Sequence, residues 1–301
     1  MFIKKDTRKI IEILTDKEDD RERLLLARRE NEFKGNSAAF IFQQKYINSF
    51  KNLASLSLYG NKLNDLSGIS IALKESPVSE INLGRNILTD LPVEFEQIKT
   101  LKTLWLDDNL FKKIPDCICK MKSIECLRLS GNKISSVTSS ISNLKNLKIF
   151  TVDRNEISVL PDALTDLKCL RILDARGNKL EELPKRLQSL LNLEVLQISS
   201  NRLQKLPNDF SGMNKLQKVY AGSNQIVEIP ESLASLKSLS FVSLVNNDIS
   251  EVNETVYQHW FDQENAKPKD YIHLKGNKCI KGSRRLSQQP DSARKKRVKE
   301  N

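Results

Sequence analysis

Apolar residues recur along most of this chain at fixed offsets from an asparagine. Three stand eight, five and three positions before it, and one stands two positions after it. One unit reads Leu101, Leu104, Leu106, Asn109, Phe111. Another reads Leu193, Leu196, Ile198, Asn201, Leu203. From Asn86 through Asn109, Asn132, Asn155, Asn178, Asn201 and Asn224 to Asn247, every step is 23 residues. The series extends to Asn61, 25 residues earlier, and to Asn277, 30 residues later. The apolar-x-apolar step has a period of two, which predicts a short strand with one buried face. Six units then carry an apolar-proline pair: Leu91-Pro92, Ile114-Pro115, Leu160-Pro161, Leu183-Pro184, Leu206-Pro207 and Ile229-Pro230. Proline lacks the N–H that a sheet needs and restricts the residue before it, so the return segment is predicted to be irregular or built of short helical turns. One such unit cannot bury its apolar face alone, but stacked neighbours can. Each asparagine amide is placed to bond backbone groups at the turn leaving the strand.

The pattern resembles the leucine-rich repeat family, whose unit is L-x-x-L-x-L-x-x-N-x-L. The 23-residue period with its "LP" pair is similar to the intracellular class, such as the Ras-suppressor type and the plant intracellular Ras-group proteins. The resemblance covers about 53–280. It implies an α/β solenoid, a horseshoe with a concave parallel sheet of about ten strands, an irregular convex side and helical caps.

The chain divides accordingly. Residues 253–280 are expected to hold a C-terminal cap and a partial tenth repeat, after nine units in 53–252. Val256, Tyr257, Trp260 and Phe261 share one helical face there, ahead of a last strand at Tyr271-Ile272-His273-Leu274. Residues 36–52 read as an N-terminal helical cap, with Ile47 and Phe50 at convex core positions. Residues 1–35 read as a charged helical extension. Thr15-Asp16-Lys17-Glu18 matches a capping box and predicts a helix near 16–32. Residues 281–301 have almost nothing to bury and are expected to form a basic tail without stable structure.

Charge sharpens this division. The formal net charge is +11. Residues 279–301 contribute +6 of it and 1–50 contribute +2, leaving only +3 over 51–278. The repeats are therefore nearly neutral, and any attraction to nucleic acid belongs to the tail. Lys295, Lys296, Arg297 and Lys299 form a basic cluster similar to a nuclear-import signal. Arg284-Arg285-Leu286-Ser287 resembles a site for basophilic kinases, which makes Ser287 a candidate phosphosite. No apolar run is long enough for a transmembrane helix, and Met1-Phe2-Ile3-Lys4-Lys5 turns polar too soon for a signal peptide. Five scattered cysteines suit a reducing compartment. A cytoplasmic protein is expected, with nuclear entry as the alternative.

No catalytic set of acid, base and nucleophile can be grouped, so no enzyme is expected. No phosphate-loop or dinucleotide motif is present, and no cofactor is expected. Cys117-Ile118-Cys119 has no second pair, and with Cys126 it reads as small core filler ahead of a zinc site. What remains is the open face. Residues six, four and two before each asparagine should point to the concave side. Trp105 stands there beside Arg128, Asp107 and Asp153, next to a lane of Cys126, Ile149, Ile172 and Val195. Asp174 and Arg176 follow, and Tyr220, Phe241, Val245 and Tyr271 form a second group. An aromatic and an arginine beside an apolar strip match the composition of binding hot spots. The mixed signs argue against a track for a phosphate backbone. The first reading is a monomeric, non-enzymatic adaptor for a protein partner. The resemblance implies signalling partners such as small GTPases or phosphatase subunits, the latter making the chain a regulatory subunit. The alternative is a nuclear factor held to nucleic acid by its tail.

Overall fold

The structure is a computed structural model describing residues 8–16, 21–43, 45–46, 50–260 and 272–278. Among these, eleven short parallel strands form one sheet in strict chain order. They are β1 (Arg23–Leu25), β2 (Ser55–Ser57), β3 (Glu80–Asn82), β4 (Thr103–Trp105), β5 (Cys126–Arg128), β6 (Ile149–Thr151), β7 (Ile172–Asp174), β8 (Val195–Gln197), β9 (Lys218–Tyr220), β10 (Phe241–Ser243) and β11 (Ile272–His273). The register is that of the repeat: Leu104 lies opposite Leu127, and Leu127 opposite Phe150. These central residues are fully buried, while the residues on either side of each face outward. The sheet is thus one wall of a continuous apolar core, the arrangement expected when each unit buries its face on the next.

The opposite wall is made of single turns. Pro92 and Pro161 stand immediately before 3-10 turns at Val93–Gln97 and Asp162–Asp166, and Pro230 before a short helix at Glu231–Ala234. Proline is pre-set for the first turn of a helix and cannot continue a sheet. Phe95, Phe111, Phe150 and Phe210 are among the largest side chains fully buried in the core.

The N-terminal end differs from the sequence expectation in three respects. The sheet has one strand more than about ten, because residues expected in a helix near 16–32 supply β1. Leu24 and Leu26 are buried and Leu25 is exposed, an alternation that a strand satisfies and a helix does not. The helix forms earlier, at α1 (Ile10–Thr15), with Glu12 accepting from the Lys9 N–H, and Thr15 lies at its end. Ile10, Ile13 and Leu14 of this helix are buried in the common core, so it closes the end of the solenoid. Among the described residues of the 36–52 cap, a 3-10 turn at Lys34–Asn36 leads in and another follows at Ala39–Phe42, with Phe42 and Phe50 buried. Ile47 lies outside the described residues. A short helix, α2 (Ile69–Leu73), stands between β2 and β3; at the other end α3 (Glu231–Ala234) is followed by α4 (Glu254–Trp260), which buries Val256 and Trp260. Phe261, Tyr271 and the whole of 281–301, with Ser287, Lys295, Lys296, Arg297 and Lys299, lie outside the described residues.

Candidate functional site

Every strand leads into the same tight turn, and the asparagines organise it. Asn155 donates through Nδ2 to the carbonyls of Leu129 and Val152 at 2.9 and 3.0 Å, and its Oδ1 accepts from the Ile134 N–H at 2.9 Å. One buried amide thus serves backbone of two units, and each of these carbonyls is shared with the next asparagine, Leu129 with Asn132 and Val152 with Asn178. Asn61, Asn86, Asn109, Asn132, Asn178, Asn201, Asn224, Asn247 and Asn277 make the equivalent pairs. The residue just before each asparagine has positive φ. Arg85, Asp108, Arg154, Ser200, Ser223 and Asn246 adopt it, as do Gly60, Gly131, Gly177 and Gly276. This turn aims the side chains at the rim of the concave face.

The strands hold the outward residues in flat rows. Trp105 is half-buried on β4, opposite Asn82 on one side and Arg128 on the other. Cys126, Ile149, Ile172 and Val195 lie opposite one another in register across β5 to β8. All four are half-buried, so they form an apolar lane open to a partner. Lys218 ends this lane on β9.

Beside the lane runs a network of carboxylates and arginines. Arg128 Nε donates to Asp107 Oδ2 at 3.1 Å, and the Ser130 N–H donates to Asp107 Oδ1 at 3.0 Å. The Ser130 hydroxyl donates to Asp153, which also accepts from Arg154 Nε at 3.2 Å. Arg176 clamps Asp174 with two bonds, Nε to Oδ1 at 2.9 Å and Nη2 to Oδ2 at 2.7 Å. Burial pushes the Asp107 carboxyl above the ordinary range, against the pull of Arg128, and the neighbouring Asp153 charge adds to the rise. The bond to Asp174 holds the Arg176 guanidinium charged, and the bond to Asp153 does the same for Arg154.

Two aromatic poles flank this network. Tyr59 packs over Gly84, where an added Cβ would meet its ring at 3.2 Å, and the Arg85 guanidinium lies 5.7 Å above that ring. At the far end Tyr220, Phe241 and His273 stack in a row, with ring centroids 4.8 and 5.3 Å apart. Val245 leans over Gly222, where a Cβ would collide with its methyl group.

The structure therefore brings Trp105, Asp107, Arg128, Ile149, Asp153, Ile172, Asp174, Arg176 and Val195 onto one surface, with Tyr220 and Phe241 beyond Lys218. Arg154 and Ser130 join them and are not among the residues singled out by sequence. The signal for Arg154 is its place just before a ladder asparagine, where four other units carry glycine. The cysteines separate. Cys117 and Cys119 are buried in the convex wall, their thiols pushed up to about 12 and about 11 by burial, whereas Cys126 faces the concave side. Among the described residues no three His, Cys, Asp or Glu side chains come together as metal ligands, and no helix is long and apolar enough to cross a membrane.

Comparisons with known proteins agree with this geometry. A family model described as leucine-rich repeat matches residues 192–249. A leucine-rich repeat protein of Leptospira interrogans is 27% identical, covering 91% of this chain and 77% of its own, with a TM-score of 0.66. The plant peptide hormone receptor RGFR1 in complex with RGF2 is 24% identical over 77% of this chain and 37% of its own, at 0.61. An internalin from Listeria monocytogenes is 19% identical over 77% and 76%, at 0.57. The last two share the fold alone. A comparison with curated proteins returns no match. In all, 455 chains of solved structures match, so the likeness points to a widely shared fold and to no single partner.

Proposed function

We propose, from the premise that the chain is a leucine-rich repeat protein, that it is a non-enzymatic scaffold whose concave face binds another protein. The observation that carries this reading is the set of apolar and aromatic side chains on the outer face of the sheet. Ile149, Ile172 and Val195 contribute nothing to the core from there, and Trp105 stands half-buried at the edge of their lane. A half-buried tryptophan beside an arginine is the composition of a protein-binding hot spot. Fold alone does not name a partner, because function lies in the variable outward columns of the repeat. An intracellular signalling role, with a small GTPase or a phosphatase subunit as partner, is a reading supported by the resemblance of the 23-residue "LP" unit.

Affinity purification of partners with the wild-type chain and a Trp105→Ala variant tests this. The variant should weaken capture by about 2 kcal/mol while its thermal unfolding is unchanged. Equal capture of the same partner by the two folded proteins would remove the concave site. Tail-mediated nucleic-acid binding is the second reading, motivated by the eight basic residues of 279–301. It requires steeply salt-dependent DNA binding that is lost when 281–301 is deleted.

A further inference from the structure

The concave floor is balanced in formal charge and unbalanced in what it shows to solvent. The Arg128 side chain is 46% exposed while its partner Asp107 is 18% exposed. The Arg176 side chain is 47% exposed while Asp174 is 5% exposed. Arg154 stands well above Asp153 in the same sense. The carboxylates lie low because backbone and hydroxyl groups hold them there: the N–H groups of Ser130 and Arg176 on Asp107 and Asp174, and the Ser130 hydroxyl on Asp153. The longer arginines fold over them and leave donors pointing outward. A guanidinium carries five N–H donors in a fixed fork. Among the described residues Arg128 uses only Nε, and Arg176 leaves Nη1 unused. A visiting group therefore meets cationic donors, already oriented, above acids that show much less of themselves to solvent.

The apolar lane fixes the form of that visitor. Ile149 and Ile172 lie to one side of the arginines on the same outward face of β5 to β7. In an extended chain successive side chains point to opposite sides. A segment laid across these strands would send alternate residues into the apolar lane and the others towards Arg128, Arg154 and Arg176. We propose that this part of the concave face takes an extended acidic segment of a partner protein, with carboxylates alternating with aliphatic side chains. Carboxylate matches two parallel guanidinium N–H bonds, as phosphate does, and it is the anion that an unmodified protein segment supplies. Glu80, on β3, stands in register with the lane two strands before Cys126, and its charge disfavours an acidic segment there and favours β5 and beyond. The chain's own segment 281–301 is cationic and does not match this surface.

This inference rests on the concave-face reading and narrows it to one chemistry. The full chain is titrated against a short fluorescent peptide of alternating glutamate and leucine, and against its lysine–leucine counterpart, with anisotropy as readout. The glutamate peptide should bind, and binding should weaken with added salt. The variant R128Q/R176Q should weaken it about ten-fold or more. A variant K112Q/K205Q, which removes the same charge from exposed loops outside the sheet, should bind as the wild type does. Equal binding of R128Q/R176Q overturns the inference, as does equal loss in K112Q/K205Q, preference for the lysine peptide, or no binding of either. If a captured protein partner is sensitive to Trp105→Ala but indifferent to R128Q/R176Q, the concave site stands and the acidic segment falls.

Discussion

The central units and the first unit solve the same backbone problem with different side chains. At Asn155 one amide reaches carbonyls of two units and accepts an N–H from a loop. The equivalent place after β1 is Arg29, three residues beyond Leu26 as Asn61 is three beyond Leu58. Arg29 passes its backbone N–H to Asn61 Oδ1, so it feeds the ladder from its end. Its buried side chain turns to the Arg8 carbonyl and to Glu32, which ties the segment before α1 to the repeats. The lesson is positional. An asparagine is needed where two units must be joined. The unit at the end has a neighbour on one side only, and a longer side chain serves better there by reaching the cap.

The largest expected effect tests that difference. Asn155→Ala leaves the Ile134 N–H unpaired in the interior and removes one of two amide donors from each of the Leu129 and Val152 carbonyls, which keep Asn132 and Asn178. It should lower the free energy of unfolding by about 2 kcal/mol. Arg29→Ala keeps its backbone N–H on Asn61 and should cost less than half as much. Denaturant titration of the two variants decides the matter. Equal losses would mean that the ladder acts no differently at its end than in its middle.

How far the fold can be read from the chain follows the same contrast. In the central units the spacing of 23 makes each residue's neighbour calculable, so Trp105 lies opposite Arg128 and Ile149 opposite Ile172 as the offsets require. In the first unit Leu24 and Leu26 carry the strand signal, but Arg29 hides the asparagine and 32 residues separate it from Asn61. The charges around them read as a helix. The site shows the same limit. Parity shows which residues face outward. It does not show that Asp107 and Asp174 lie beneath their arginines, because that depends on side-chain length and on bonds from Ser130 and Arg176. The place of Arg154 at the rim depends on positive φ, and on Gly131, where a side chain would collide with Asp108 and close the path by which Arg154 reaches it at 3.4 Å.

A second prediction concerns how the first units are fastened. Asp65 accepts from Ser37 at 2.5 Å and from the Ser67 N–H at 2.9 Å, joining the 36–52 cap to the turn after β2. The bond from Ser37, followed by that from Ser67, holds its carboxyl below the ordinary value of 3.8. A carboxylate with a lowered value adds stability above its unfolded value and loses it as pH falls through the folded one. Asp65→Asn should therefore cost no more than about 1 kcal/mol at neutral pH, since solvent screens a group this open. The difference from wild type should shrink below pH 3.8. A gap that stays constant down to strong acid would assign the effect to packing and not to the charge.

The smallest effect addresses what centre and end have in common. Arg28, before Arg29, has φ of 57°, and Ser200, before Asn201, has the same φ of 57°. The turn is thus shared even where the ladder residue is not. A residue with a Cβ is strained in this region by roughly 1 kcal/mol, while glycine is not, though glycine loses more freedom on folding. Ser200→Gly leaves the ladder bonds of Asn201 unchanged and should raise stability by a few tenths of a kcal/mol. Arg28→Gly should gain no more, because it also removes the arginine side chain that lies beside Gly60. Thermal unfolding of both variants measures the difference. A loss of stability in Ser200→Gly would mean that the strain in the central turns is already relieved, so that the recurrent left-handed residue costs the solenoid nothing.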